Sequence, residues 1–260
     1  MTIKAIIFDV DGTLAETEEV HRRAFNETFE EFGLDWYWDR TLYGELFQVT
    51  GGKERIRHYA TNWRLQDKSL CPSHVTDLYL AKTARYTALV SAESIDLRPG
   101  AERLIREACA LGVRLAIATS TSMPNVISLL TTTLGAAGLD LFDVITVGEM
   151  VNRKKPAPEV YQLVLKRLSL PASACIAIED SSNGVMAARR CGIPVLATLS
   201  TYTRIEDLRY AFAVLSDLGE PDAPFWHSSG AGAGETHVTI DALNRWQPGS
   251  AQREAHAMAC

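Results

Sequence analysis

The sequence predicts an α/β protein: a doubly wound, mostly parallel sheet, with a helical block inserted after the first strand. Three observations carry this. From residue 101 onward short apolar runs alternate with amphipathic helical stretches, the pattern of a parallel sheet with helices on both faces. Several of those runs end abruptly in polar groups, as strands do where an open sheet binds its ligands. Residues 17–96, between the first run and the next strand-helix unit, show helical patterning and no convincing strand.

The first element is the apolar run Ala5-Ile6-Ile7-Phe8, a buried strand that stops at Asp9-Val10-Asp11-Gly12-Thr13. Two acids one residue apart on a strand would point to opposite faces. Because the strand stops here, the loop can turn both toward the mouth of the sheet. A polar helix runs from Glu16 through Phe25, Phe29 and Phe32 and stops at Gly33. Asp96-Leu97-Arg98-Pro99-Gly100 marks the return to the sheet, since Pro-Gly breaks helices.

The remaining elements follow in order. Ala101–Leu111 is helical and closed by Gly112; Val113–Ala118 is a strand ending at Thr119-Ser120-Thr121-Ser122. Asn125–Leu134 is a helix, Asp143–Val147 a strand, and Pro156–Leu168 a helix whose prolines suit a first turn. Ala174–Ile178 is a strand ending at Glu179-Asp180. Asn183–Cys191 is a helix closed by Gly192, and Ile193–Thr198 and Ala211–Leu215 are strands. Residues 219–235 are mostly Gly, Pro, Ala and Ser, the composition of a flexible loop. His237–Trp246 is amphipathic and can pack back on the core, and the last dozen residues are expected to be disordered. The expected organisation is a core of 1–16 and 97–218, a helical cap of 17–96, and a C-terminal segment of 219–260 partly packed on the core.

Composition narrows the function. The chain has 260 residues, 47% hydrophobic and 22% charged, with a net charge of −6, which suits an ordinary globular protein. An acidic balance disfavours an extended nucleic-acid or anionic-membrane surface. No apolar run approaches the length of a signal peptide or a membrane span. The five cysteines are scattered, with no CxxC pair, as reduced thiols in a cytoplasmic protein would be. A monomer acting on a small molecule is expected, with no nucleic acid and no membrane as partner.

Four strand ends carry what phosphoryl transfer requires. Asp9 is the expected nucleophile, attacking phosphorus to give an aspartyl-phosphate. Asp11 is the expected acid and base, protonating the leaving oxygen and then activating water. Thr119 can hydrogen-bond a phosphoryl oxygen, with the Ser120 N–H and Thr121 beside it. Lys155, placed where a helix is expected to begin, opposes negative charge with its ammonium and with the helix dipole. Glu179 and Asp180 complete an acidic cluster with Asp9, which needs a cation among its carboxylates. Hard oxygen ligands beside a phosphate favour Mg²⁺, with Asp180 as a direct ligand and Glu179 acting directly or through water.

Taken together, Asp9-Val10-Asp11-Gly12-Thr13, Thr119 after an apolar strand, Lys155-Pro156 and Glu179-Asp180 resemble the haloacid dehalogenase superfamily of phosphohydrolases. The resemblance covers roughly residues 3–218. It implies a Rossmann-like core, a helical cap of the first type, Mg²⁺ dependence, and a metal shell of the Asp9 carboxylate, the Asp11 backbone carbonyl and Asp180. A narrower match lies in 15–26, Trp36-Tyr37-Trp38-Asp39-Arg40, 50–56, 152–156 and Ser200-Thr201-Tyr202-Thr203-Arg204, which look like the CbbY-like sugar-bisphosphate phosphatases. That resemblance implies removal of the C1 phosphate of xylulose 1,5-bisphosphate, an inhibitory by-product of rubisco, and so a place beside the Calvin cycle.

Each residue has a plainer reading. A calcium loop starting at Asp9 would need Glu at its twelfth position, where Val20 stands. Gly12 lets backbone approach an anion. His21 can touch substrate or fill an interface; Glu16 and Thr17 can touch the sugar or cap a helix. Gly52 permits close approach, and Lys53 and Arg55 can clamp a second phosphate. Lys154 can add field to that phosphate or remain solvated. Trp36-Tyr37-Trp38 reads as packing, and Arg98 as a turn or interdomain residue. Two rival functions share the motifs: a phosphosugar mutase of β-phosphoglucomutase type, and a non-catalytic phosphate-binding regulatory module.

Overall fold

A computed structural model describes residues 2–64, 72–93 and 95–247. Strand β1 (Ala5–Phe8) is followed by helices α1 (Glu18–Glu31), α2 (Arg40–Leu46), α3 (Gly52–Trp63) and α4 (Pro72–Ala92). Then come α5 (Ala101–Ala110), β2 (Arg114–Ala118), α6 (Met123–Leu134), β3 (Val144–Thr146), α7 (Glu159–Leu168) and β4 (Cys175–Glu179). The chain continues through α8 (Ser182–Arg190), β5 (Val195–Thr198), β6 (Ala213–Leu215), β7 (His227–Gly230) and α9 (Ile240–Trp246).

The seven strands form one sheet in the order β3-β2-β1-β4-β5-β6-β7. All pairs are parallel except β6 with β7. The order reverses at β1, where Phe8 lies between Ile117 and Ile178, so the ligand crevice of a doubly wound sheet opens above it.

Alternation along the central strands divides the core in two. Ile6, Phe8, Leu115, Ile117, Ile176 and Ile178 face one side with α5 and α6. Ala5, Ile7, Ala116, Ala118, Cys175 and Ala177 face the other. The second set is mostly small, which lets α7 and α8 lie close to the sheet. An Ala177→Leu change on that face would overpack it, at about 1–3 kcal/mol.

Helices α1 to α4 build an aromatic core of their own around Phe25, Phe29, Trp36, Trp38, Tyr43 and Tyr59. Trp36 and Trp38 are buried as the packing reading expects, whereas Tyr37 is 67% exposed. The Asn26 side chain pins Trp38 by bonding both its N–H and its carbonyl. No helix among the described residues is long and apolar enough to cross a membrane.

Three expectations need correction. Helix α7 begins at Glu159, not Pro156. Pro158 disfavours helical backbone at Ala157, so Lys155 stands in a turn ahead of the helix and not in its first turn. The stretch 219–235, expected as a loop, contains β7 and the buried Phe225. His227-Ser228-Ser229-Gly230 carries no apolar alternation because β7 is an exposed edge strand held by its backbone ladder to β6. Thr17 does stand at the N-cap of α1, but its hydroxyl makes no capping bond. Helix α9 packs Ile240 and Leu243 into the core, and its Asn244 accepts from the N–H of Ile3 at 2.8 Å. The expected disorder of the last dozen residues lies outside the described residues.

Candidate active site

The site forms where the central strands end. Asp9 extends β1 by one residue, its N–H bonded to the Ile178 carbonyl at 3.0 Å. The chain then turns through Gly12, whose φ of +80° suits glycine. A Cβ there would lie 2.2 Å from Asp180 Oδ2, so glycine is also required for space.

Around Asp9 the charges are dense and buried. Lys155 Nζ donates to Asp9 Oδ1 at 2.5 Å and to Glu179 Oε1 at 2.6 Å. Tyr161 donates its hydroxyl to the same Glu179 oxygen at 2.5 Å. Asp180 Oδ2 accepts from Ser200 at 2.8 Å and Thr203 at 3.4 Å. Burial pushes the Asp9 carboxyl up to about 8, with Glu179 and Asp11 adding to the rise and Lys155 opposing it. Burial also raises Asp180, reinforced by Asp9 and Glu179. Lys155 loses hydration by burial, yet Asp9 and Glu179 more than compensate and hold it above the usual lysine range.

Asp9, Glu179 and Asp180 offer carboxylate oxygens all within 4.8 Å of one another. Glu179 Oε2 is buried with no hydrogen-bond partner. A single ammonium facing three buried acids leaves negative charge uncompensated, and an unpaired carboxylate oxygen is costly. This donor set fits a hard divalent cation such as Mg²⁺.

Asp11 belongs to a different network. It accepts from the Thr17 hydroxyl at 2.6 Å and lies 3.0 Å from His21 Nε2. The other ring nitrogen of His21 meets Lys82 Nζ at 2.5 Å, and the ring stacks on Tyr86. Burial would raise Asp11, but the charge and hydrogen bond of His21, with Thr17 and Lys82, outweigh it and hold the carboxyl down at about 2. Burial lowers Lys82 to about 7. Two carboxylates of one loop are thus pushed in opposite directions by their surroundings.

A single cavity gathers most of the candidate residues. Asp9, Asp11, Thr119, Ser120, Thr121, Lys155 and Asp180 line it from the sheet, and His21, Gly52 and Arg55 from the helices. Arg55 donates to the Tyr43 hydroxyl at 2.7 Å, and Tyr43 donates to Glu18 at 2.7 Å. Other candidates stand behind or beside it. Glu179 is fully buried behind Lys155, and Thr17 behind Asp11. Gly12 contributes backbone under Asp180. Lys154 Nζ donates to the Gly148 carbonyl at 3.1 Å, and Lys53 sits over the Tyr79 ring. Glu16 faces a separate cleft with Arg98, Arg204 and Trp226. Neither Glu16, Lys53 nor Lys154 lines the cavity.

Sequence reasoning missed Lys82, Glu18, Asn125 and Asn183, which also line it. Lys82 left a signal. It interrupts the buried stripe Leu78, Tyr86, Val90 of α4 at helical spacing and is only 4% exposed, where a lone charge needs partners. Asn125 is positioned by donating to Thr121 Oγ1 at 2.8 Å.

Residues 3–192 match the family model of haloacid dehalogenase-like hydrolases. The chain is 48% identical over 218 residues to protein CbbY of Cereibacter sphaeroides, covering 84% of this chain and 94% of that one. It is 43% identical over 253 residues to a plasmid CbbY of Cupriavidus necator, covering 95% and 98%. A crystal structure of a CbbY mutant from Rhodobacter sphaeroides in complex with xylulose 1,5-bisphosphate superposes with a TM-score of 0.79. That alignment has 47% identity and covers 83% of this chain and 94% of that one.

Proposed function

The chain belongs to the haloacid dehalogenase-like hydrolases, and from that premise we propose that it removes the C1 phosphate of xylulose 1,5-bisphosphate through an aspartyl-phosphate on Asp9. The single observation that carries this reading is the convergence of Asp9, Asp11, Thr119, Lys155 and Asp180 on one cavity. The complex of a CbbY protein with this sugar bisphosphate supports the choice of substrate.

In the first half-reaction an Asp9 oxygen attacks phosphorus, the bond from phosphorus to the sugar oxygen breaks, and Asp11 protonates the departing oxygen. In the second, Asp11 takes a proton from water as that water attacks phosphorus, which frees phosphate and restores Asp9. An Asp11 held near 2 is ionised and suited to the second half. His21 Nε2 stands 3.0 Å from that carboxyl, within hydrogen-bond reach. Thr119, the Ser120 N–H and Lys155 would bind the transferred group, and Arg55 the second phosphate. Asp9, Asp180 and the Asp11 carbonyl would hold Mg²⁺, with Glu179 behind. When bound, that ion neutralises charge on the transferred phosphoryl group.

Helices α1 to α4 act in this reading as a cap. The cavity holds about 100 Å³, less than the ~300–1,000 Å³ usual for ligand sites. Substrate entry therefore requires the cap to move about its linkers near 15–17 and 95–99.

The test is a panel of sugar mono- and bisphosphates assayed for phosphate release with and without Mg²⁺, on wild type and Asp9→Asn. Xylulose 1,5-bisphosphate should lead the panel, and Asp9→Asn should abolish release while keeping the fold. Unchanged release in that variant rules out the nucleophile. Isomerisation of glucose 1-phosphate, given a bisphosphate activator and without phosphate release, would favour a mutase instead.

A further inference from the structure

Ser200-Thr201-Tyr202-Thr203, just beyond β5, is a motif that the proposed chemistry leaves unused. Its two outer residues face the acidic cluster. The Ser200 and Thr203 hydroxyls both reach Asp180 Oδ2, lie 2.8 Å from each other and are fully buried. The turn is closed by the Thr203 N–H on the Ser200 carbonyl at 3.3 Å. Its inner residues face the other way. The Thr201 N–H donates to Glu16 at 3.3 Å. The Tyr202 ring meets Tyr43 edge-on at 5.3 Å and stacks on Phe47 at 6.0 Å, and its hydroxyl donates to Glu19.

A second pair of contacts runs along the same seam. Asn183 donates to the Gln48 carbonyl at 3.2 Å and to Thr50 at 3.1 Å. Glu206, which accepts from the Ser182 N–H at 2.6 Å, also accepts from the Gln48 side chain at 3.5 Å. The end of α2 is thus fastened to the two chain segments that flank and support Asp180. The Thr203–Ser200 backbone bond ties the two outer residues together across Tyr202.

We infer that Tyr202 is a positioning residue: docked on the α2 aromatics, it fixes the turn that orients the Asp180 carboxylate and so couples the helical layer to the acidic cluster. This rests on the reading of Asp180 as a cation ligand. Outer partners of a metal ligand commonly set its affinity, and a two-element contact transmits coupling to a distant group.

The experiment measures Mn²⁺ binding by electron paramagnetic resonance on the whole chain without substrate, with amide exchange across 40–50 read in parallel. Ser200→Ala should weaken Mn²⁺ binding about tenfold, and Tyr202→Ala about fivefold with faster exchange in 40–50. Tyr202→Phe, which keeps the ring and the fold, should fall between wild type and Tyr202→Ala. Thr201→Ala should match wild type. Because both act through one turn, the double variant should bind within about twofold of Ser200→Ala alone. Faster exchange with Mn²⁺ affinity held within about twofold of wild type would make Tyr202 mere packing and overturn the inference, as would full additivity. Wild type that binds Mn²⁺ but spares xylulose 1,5-bisphosphate refutes the substrate reading and leaves the coupling standing. Wild type that binds no Mn²⁺ refutes the metal reading and the coupling together.

Discussion

The Lys155 ammonium lies 2.5 Å from Asp9 Oδ1, and both residues are more than nine-tenths buried. The ammonium is therefore the resident counter-charge of the expected nucleophile, and 2.6 Å away it serves Glu179 as well.

Removing it should leave two buried carboxylates facing each other. Lys155→Met is expected to cost roughly 3–5 kcal/mol of stability and about 10²–10³ in phosphate release. The deficit has a sign in pH. A carboxyl whose folded proton affinity exceeds its unfolded one loses stability as pH rises through the folded value. Thermal melts should therefore show a larger loss at pH 9 than at pH 6. Equal losses at both would refute the electrostatic account.

Without a cation, burial pushes the Asp9 carboxyl up to about 8 against the pull of Lys155, so ion and proton compete for it. A divalent cation bound there must displace that proton. Apparent Mg²⁺ affinity should rise by up to about tenfold per pH unit below 8 and flatten above it. Calorimetry in buffers of differing ionisation heat checks this directly: a proton should leave with each ion bound. Buffer-independent heats would rule it out.

Gly184, in the first turn of α8, leaves no room for a methyl group. A Cβ there would lie 1.9 Å from Glu179 Oε2. Gly184→Ala must displace that carboxylate, and cation affinity is expected to fall about 10–100-fold. The helix itself should survive, since alanine favours it. Mn²⁺ titration beside a circular dichroism spectrum separates the two effects.

Arg98 ties the first loop to the far strands. Its guanidinium donates to the Gly12 carbonyl, to Thr198 Oγ1 at 3.0 Å, and to the Leu199 and Ser216 carbonyls at 2.6 Å each. Lysine cannot reproduce that fork. Arg98→Lys should lower the denaturant midpoint by the equivalent of about 3 kcal/mol, with the slope of the transition unchanged. A midpoint matching wild type would mean these bonds are replaced by water.

Much of this was legible in the sequence because chemistry collects at strand ends. Asp9, Thr119 and Asp180 each follow an apolar run, and a doubly wound sheet brings such ends together whatever lies between. Edge strand β7 was not legible. Backbone pairing holds it, so His227-Ser228-Ser229-Gly230 looks like the loops around it. Lys82 was hidden for the opposite reason: a charge on a long helix resembles a surface residue until neighbouring burial is known. Tyr161 and Thr203 support Glu179 and Asp180 from positions whose meaning depends on packing. Glu16 and Lys53 resembled ligands through their nearness to glycine and hinge, but side-chain direction sends them elsewhere.

Asp9 and Lys155 are 146 positions apart along the chain, yet they touch. No early helix or hairpin can hold both, because segments far apart in sequence must first be assembled into the sheet. An ion captured by these acids would therefore recognise only the finished protein and deepen its stability by mass action. Occupancy of the centre would then report that the chain has completed its fold, so half-built molecules would stay inert instead of becoming partly active.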